Sequence, residues 1–397
     1  MISERKRVIS ETITGNHAEN KRHNSATIVP NTPYLPLNGV RVLDFTRVLA
    51  GPLAAMMLGD LGADVIKIER PRSGDETRGW GPPFDPRGES AYFLSINRNK
   101  LSVAADFAIA ADRALIDRLL ARADVVIDNF LPGALERAGF APDELVIQRP
   151  ELTWCTITGF GPETDRPGYD YVIQAERGWM AITGPVAGAP TKIGVALADV
   201  IAGKDAAIAV LGALVGRYRT GRGARLYTSL AHSASAALVN VAQNALVSGQ
   251  EPKRWGNAHP NLVPYEMYEA RDRGLIVAVG SDAQWTACAR ALGLDDLAND
   301  PALATNAGRL AERARIADAI GARVRERDAR HWCEVLDAAG VPNGVVKGVL
   351  ESLRDIEASA LTGVAPLEPY LGTVRRPPPT LDQHGSDVRA RGWDAFA

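Results

Sequence analysis

Along residues 40–159 the apolar positions change period again and again, and the changes mark out the elements. Residues 40–45 (Val-Arg-Val-Leu-Asp-Phe) are apolar and rich in strand-forming residues. A Gly51-Pro52 turn then opens 53–62, where Leu53, Met56, Met57 and Leu61 recur at helical spacing. Residues 64–69 (Asp-Val-Ile-Lys-Ile-Glu) read as a second strand. Strand, short helix and strand within about 30 residues is the βαβ unit of a parallel sheet. The pattern continues with a helix over 112–123 capped by Asp112, and with strands over 124–128 and 154–159. Layered α/β is the fold class this predicts.

From Asp199 to Tyr218 the chain is strongly helical, and Gly221 stands where a helix should stop. Ala-rich apolar sequence resumes over 226–247, followed by a polar connector with Gly and Pro over 251–264. A smaller unit follows, with a strand over 275–279 and helices after it. Arg375-Arg376-Pro377-Pro378-Pro379 can be neither helix interior nor central strand, so it reads as an extended surface segment. Residues 1–36 are polar, lack the apolar stretch of a secretory signal, and read as a mobile extension.

Composition narrows the function. Of 397 residues, 46% are hydrophobic and 23% charged, as in ordinary globular proteins. A net charge of −2 gives no reason to invoke nucleic acid or an anionic membrane. No apolar run of about 18 residues argues for a membrane span. Cys155, Cys288 and Cys333 lie far apart without metal-ligand spacing, which fits a reducing cytoplasm and buried small hydrophobes better than disulfides. Neither G-x-G-x-x-G nor G-x-x-x-x-G-K-[ST] occurs at the first βα turn. The sheet is therefore expected to look Rossmann-like while lacking the usual nucleotide fingerprints.

Several short blocks, taken in order, are more telling. They are Leu43-Asp44-Phe45-Thr46-Arg47-Val48-Leu49-Ala50-Gly51-Pro52, the Leu-Gly-Asp-Leu-Gly-Ala-Asp-Val-Ile-Lys-Ile-Glu-Arg-Pro run over 58–71, and Asn97-Arg98-Asn99-Lys100. Asn129-Phe130-Leu131-Pro132-Gly133, Gly168-Tyr169-Asp170, Ala198-Asp199, Gly256-Asn257-Ala258-His259-Pro260 and Gly340-Val341-Pro342 follow. In this order and spacing the chain resembles the class III CoA-transferases over nearly all of 37–388, a family that also holds α-methylacyl-CoA racemases. The resemblance implies an interlocked homodimer of ring-shaped subunits. It divides the chain into the extension over 1–36, a large CoA-binding α/β domain over 37–228, a helical connector over 229–264, a small α+β domain over 265–345 and a return over 346–397.

It also implies a catalytic Asp199. On residue context alone, Asp199 is better explained as the N-cap of the Ala-rich helix; the resemblance reverses that preference. The two roles are compatible, because a helix N-terminus favours an ionised carboxylate. Small Ala198, Ala202 and Gly203 would leave room for a thioester. Tyr169 stands where the racemases have histidine, and a tyrosine cannot readily deprotonate a thioester α-carbon at neutral pH. Transfer is therefore favoured over racemisation of a 2-methylacyl-CoA, and a non-catalytic acyl-CoA binder is the third reading. By resemblance Val48, Leu49 and Ala50 line the CoA path, Arg70 and Arg137 meet phosphate, and Asn129 and Phe130 meet adenine or pantetheine. Arg47, Arg78, Arg98 and Lys100 are further phosphate candidates. Coenzyme A is expected as co-substrate, with no resident cofactor or metal. Arg254-Trp255-Gly256-Asn257-Ala258-His259 and Trp80-Gly81-Pro82-Pro83-Phe84 look most like the succinyl-CoA:glutarate branch. Succinyl-CoA is thus the expected donor and a short dicarboxylate the acceptor. Asp282, loosely matching a racemase acid, reads as a solvated loop residue.

Overall fold

The computed structural model describes residues 35–368 and 370–397; the expected mobile extension lies outside the described residues except for its last two. Six strands make the principal sheet: β1 (Arg41–Asp44), β2 (Asp64–Glu69), β3 (Lys100–Ala104), β4 (Val125–Asp128), β5 (Thr153–Thr158) and β6 (Arg225–Ser229). They run in the order β3-β2-β1-β4-β5-β6, and every pairing is parallel. That is the order of the doubly wound dinucleotide-binding sheet. The Rossmann-like expectation holds, although β3 and β6 escape the sequence reading. Lys100 and Ser102 in β3, and Arg225 and Thr228 in β6, break the apolar pattern by which strands are recognised.

Strand side chains alternate between two cores, as the twofold period requires. Val42, Val65, Val125 and Ile157 face one core. It is covered by α1 (Ala50–Asp60), α3 (Asp170–Glu176), α4 (Leu197–Thr220) and α5 (Leu230–Ala236). Leu43, Ile66, Val103 and Trp154 face the other, covered by α2 (Ala110–Leu120) and by Val388 and Trp393 near the C-terminus. A separate core lies under an antiparallel sheet of β7 (Tyr265–Glu269), β8 (Gly274–Ala278) and β9 (Asn343–Val345). Three helices, α6 (Asp282–Ala291), α7 (Arg313–Val324) and α8 (Ala329–Ala338), close it. The sequence reading finds only one of these three strands.

Local details differ from expectation in instructive ways. Gly51 and Pro52 belong to the first turn of α1 rather than to a turn before it. Proline is harmless there, since first-turn N–H groups have no helical partner. Asp112 sits inside the first turn of α2, and Ile109 occupies the cap position. The Arg375–Pro379 stretch has no regular secondary structure, as expected, but is not confined to the surface. Pro378 and Pro379 are buried, and Asn99 Oδ1 accepts the N–H groups of Arg375 and Arg376 at 2.7 and 2.8 Å. Asp282 is exposed, as expected, but opens α6 rather than lying in a loop and accepts a hydrogen bond from the buried Arg309 at 2.8 Å. Among the described residues, no helix is long and apolar enough to cross a membrane.

Candidate functional site

β1 and β4 are neighbours, yet the chain leaves β1 toward β2 on one side and β4 toward β5 on the other. Such a switch point opens a crevice at the carboxyl ends of the strands. The loop after β1 is pinned there residue by residue. Asp44 Oδ1 accepts the N–H of Thr46 at 2.9 Å and its hydroxyl at 2.5 Å, and Lys67 Nζ donates to the Thr46 carbonyl at 2.6 Å. Asn129, just past β4, accepts the Arg47 N–H at 3.0 Å and donates to the Arg47 carbonyl at 2.7 Å. Asp75 Oδ1 accepts the Val48 N–H at 3.3 Å. Val48 itself has φ = +69°, a region that a β-branched residue seldom enters. Strain of this kind persists where surrounding contacts over-determine the backbone, and it clusters at functional sites.

Helix α4 carries Asp199 into the same crevice. Gly203 allows this, since a Cβ there would lie 2.5 Å from the Ala50 carbonyl oxygen. Ala198 and Ala202 are fully buried in the core shared with Ala50 and Ala54. Their small size thus serves the contact between α1 and α4, not space for a thioester. Asp199 is the third residue of α4, not its cap; Ala196 holds that position without a side-chain bond. The Ala198 N–H is taken from outside, by Asp170 Oδ1 at 2.8 Å.

Asp199 is only 9% exposed. Burial, together with the like charge of Asp170, pushes its carboxyl up to about 7. The helix N-terminus is expected to favour the ionised form; burial and Asp170 act in the opposite direction and outweigh it. The cavity it faces, about 260 Å³, brings Val48, Leu49, Ala50, Asn129, Phe130 and Tyr169 together with Asp199. A second cavity of about 430 Å³ lies beyond the ends of β1, β2 and β3 and is lined by Arg70, Arg72 and Phe107. Arg47 and Phe130 line both, so the two are adjacent. Arg137 is exposed on the short helix Ala134–Arg137 and lines neither.

Three candidate phosphate ligands are committed elsewhere. Arg78 is buried and forked onto Glu69, with Glu89 at 2.7 Å. Arg98 is buried on Asp60 and on the carbonyls of Thr362 and Val364. Lys100 donates to Asp44, Asn97 and the Pro52 carbonyl. Each is a structural cation whose charge is already met. Arg47 remains available: its side chain is 30% exposed, with a 3.3 Å contact to Glu76. Among the described residues, no group of three or more His, Cys, Asp or Glu is arranged to hold a metal ion.

The sequence reading misses Asp170, Gln174 and Arg72 as members of the site. Asp170 stands in the Gly168-Tyr169-Asp170 block, but its first-turn place in α3 looks like ordinary helix chemistry. Its bond to residue 198 spans 28 positions and leaves no local mark.

A family-wide sequence model described as CoA-transferase family III matches residues 37–388. The succinyl-CoA:glutarate CoA-transferase of Mus musculus is 39% identical over 373 residues, covering 88% of this chain and 84% of that protein. A succinate–glutarate CoA-transferase of Agrobacterium fabrum is 39% identical over 380 residues, covering 89% and 95%. Among solved structures, a CAIB/BAIF family protein from Brucella suis superposes with a TM-score of 0.79 at 39% identity, covering 90% of this chain and 99% of that one.

Proposed function

The chain belongs to CoA-transferase family III, and from that premise we propose that it moves coenzyme A from succinyl-CoA to a short dicarboxylate through acylation of Asp199. The observation that carries this reading is the buried Asp199 carboxylate in one cavity with residues 48–50 and Phe130. A carboxylate oxygen attacks the thioester carbonyl, the C–S bond breaks, and a mixed anhydride forms with release of CoA thiolate. The thiolate then attacks the Asp199 carbonyl carbon, the donor acid leaves as carboxylate, and an aspartyl-CoA thioester remains. The acceptor carboxylate reverses both steps and restores free Asp199. No net proton, ATP or redox equivalent is consumed.

The neighbouring cavity suits the nucleotide end of CoA, with Arg70 and Arg72 at its edge for phosphate and Phe107 and Phe130 for the adenine face. The reactive end would then pass Val48–Ala50 toward Asp199. Among the described residues the Asp199 cavity is lined by Tyr169 and by no histidine, which supports transfer over removal of an α-proton. The dicarboxylate pair rests on the two relatives named for glutarate. An interlocked homodimer belongs to the same reading, and the exposed Leu246, Val247, Val349 and Leu350 are apolar surface for a second copy to cover.

The test is incubation with succinyl-CoA and a panel of mono- and dicarboxylates, with new acyl-CoA masses as readout. Glutaryl-CoA or a similar dicarboxylyl-CoA should form, and an Asp199 adduct should be trapped by hydroxylamine during turnover. Product accumulation in Asp199→Ala, or without any adduct, would remove the mechanism.

A further inference from the structure

The segment that delivers Asp199 is not held by its own helix. Residues 193–196 approach α4 as a loop, and two side chains of α3 grip this loop and the first turn of the helix. Asp170 Oδ1 accepts the Ala198 N–H at 2.8 Å, while its Oδ2 accepts from Gln174 Nε2 at 2.7 Å. Gln174 is fully buried; its Oε1 accepts the Ile193 N–H at 2.8 Å, and Nε2 also reaches the Val195 carbonyl at 3.3 Å. Two points of the incoming loop, Ile193 and Val195, and one in the first turn of α4, Ala198, are therefore tied to one hydrogen-bonded pair. Buried polar groups so fully matched fix geometry more than they add stability.

We propose that Asp170, locked by Gln174, is the positioning residue for Asp199: it replaces the missing N-cap of α4 from another helix and sets the second negative charge beside the reactive carboxylate. This rests on the reading of Asp199 as the acylated group. Asp170 has two separable effects. One is mechanical, since the Ala198 bond adjoins Asp199 and sets where its carboxylate stands. The other is electrostatic, since a like charge disfavours ionisation of Asp199 and makes the carboxylate more basic and more nucleophilic once ionised. Around Asp199 the other charged or titratable groups are Tyr92, whose hydroxyl is pushed up to about 12 by burial and then by Asp199, and Arg47, Glu76, Arg166 and Tyr169 of the cavity lining. Arg166 is forked onto Glu176, and Arg47, although still available, contacts Glu76 at 3.3 Å; burial and the like charge of Asp170 are what raise Asp199.

Two substitutions separate the effects in the full-length enzyme. Asp170→Asn removes the charge and keeps an oxygen for Ala198, at the cost of the hydrogen bond that Oδ2 accepts from Gln174 Nε2. The acid limb of the kcat/KM profile should move at least half a pH unit downward from its wild-type position, with kcat reduced at pH 8. Asp170→Glu keeps the charge but displaces the oxygen. Its acid limb should stay within about 0.2 unit of wild type while kcat falls tenfold or more. The KM for succinyl-CoA should change less than threefold in both, because Asp170 does not line the nucleotide cavity. Thermal melts check that each variant is folded, and either variant alone suffices if the other is not. An unmoved limb in Asp170→Asn, or wild-type kcat in Asp170→Glu, overturns the assignment. Asp199→Ala is run alongside: retained activity there would sink the Asp199 mechanism itself, whereas an inactive Asp199→Ala beside a wild-type-like Asp170→Asn would sink only the role of Asp170.

Discussion

Asp44 and Asp199 are both buried carboxylates near the carboxyl edge of the large sheet, and their surroundings drive them in opposite directions. Burial alone would raise the Asp44 carboxyl, but Lys100 and Lys67, with the Thr46 hydrogen bonds, hold it below the usual carboxylate range. Asp199 meets burial with another acid beside it and rises to about 7. The first aspartate is a satisfied member of a polar cluster that pins the strained 46–48 loop. The second is left with its charge uncompensated, as the proposed acylation of Asp199 requires. Pairs of acids driven apart by environment mark where a fold separates structural from chemical work.

Changes at the two acids should therefore have opposite signatures. The largest effect is on activity: Asp199→Ala should lower CoA exchange by about 10³-fold or more while the protein stays folded. For Asp44→Asn the damage should be to stability, about 3–5 kcal/mol in denaturant melts, because Lys67 and Lys100 lose their shared anion. A melt of Asp44→Asn within 1 kcal/mol of wild type would show that the cluster does not depend on this charge.

pH sharpens the contrast. The raised value of Asp199 means that ionising it costs the folded state, a cost absent below about pH 4, growing as pH rises, and complete above about 7. Asp199→Asn should consequently melt higher than wild type at pH 8 and equal to it near pH 4. Asp44 has the opposite sign: its contribution is present above the ordinary carboxylate value and is lost only as pH falls through its depressed folded-state value. In wild-type kinetics, kcat/KM should fall about tenfold per pH unit below about 7, as the attacking carboxylate protonates. A flat profile from pH 8 to 5 would contradict the reactive assignment.

Two smaller effects test the surroundings. Gly203→Ala forces α1 and α4 apart and should cost about 1–3 kcal/mol while lowering kcat, through displacement of Asp199 from residues 48–50. Arg70→Ala should leave kcat intact and raise the KM for succinyl-CoA roughly tenfold, as expected for loss of about 1.4 kcal/mol of phosphate binding. Equal losses of kcat and kcat/KM in Arg70→Ala would place that arginine in the chemistry instead.

Much of this site is legible in the chain. The βαβ pattern, the stop at Gly221 and the ordered blocks identify the sheet, the helix carrying Asp199 and five of the residues that share its cavity. Three of the candidate cations mislead. Arg78, Arg98 and Lys100 look like phosphate ligands because a motif records which residue occurs, not which acid it faces. Asn129 was expected against CoA, yet both ends of its amide are engaged by the Arg47 backbone.

Sequence by itself determined where β1, β2, β4, β5, β8 and the long helix α4 form, because the periods of 2 and 3.6 are local properties of side-chain direction; β3, β6, β7 and β9 carry no such clean period. It also determined that an aspartate lies near the start of the long α4 helix and that the motif blocks follow one another in a fixed order. Only the tertiary structure decided the state of that aspartate. Desolvation, the like charge of Asp170 and the clearance at Gly203 are sums over atoms from distant parts of the chain. Electrostatic and steric effects act through space, and no local spacing of residues encodes them.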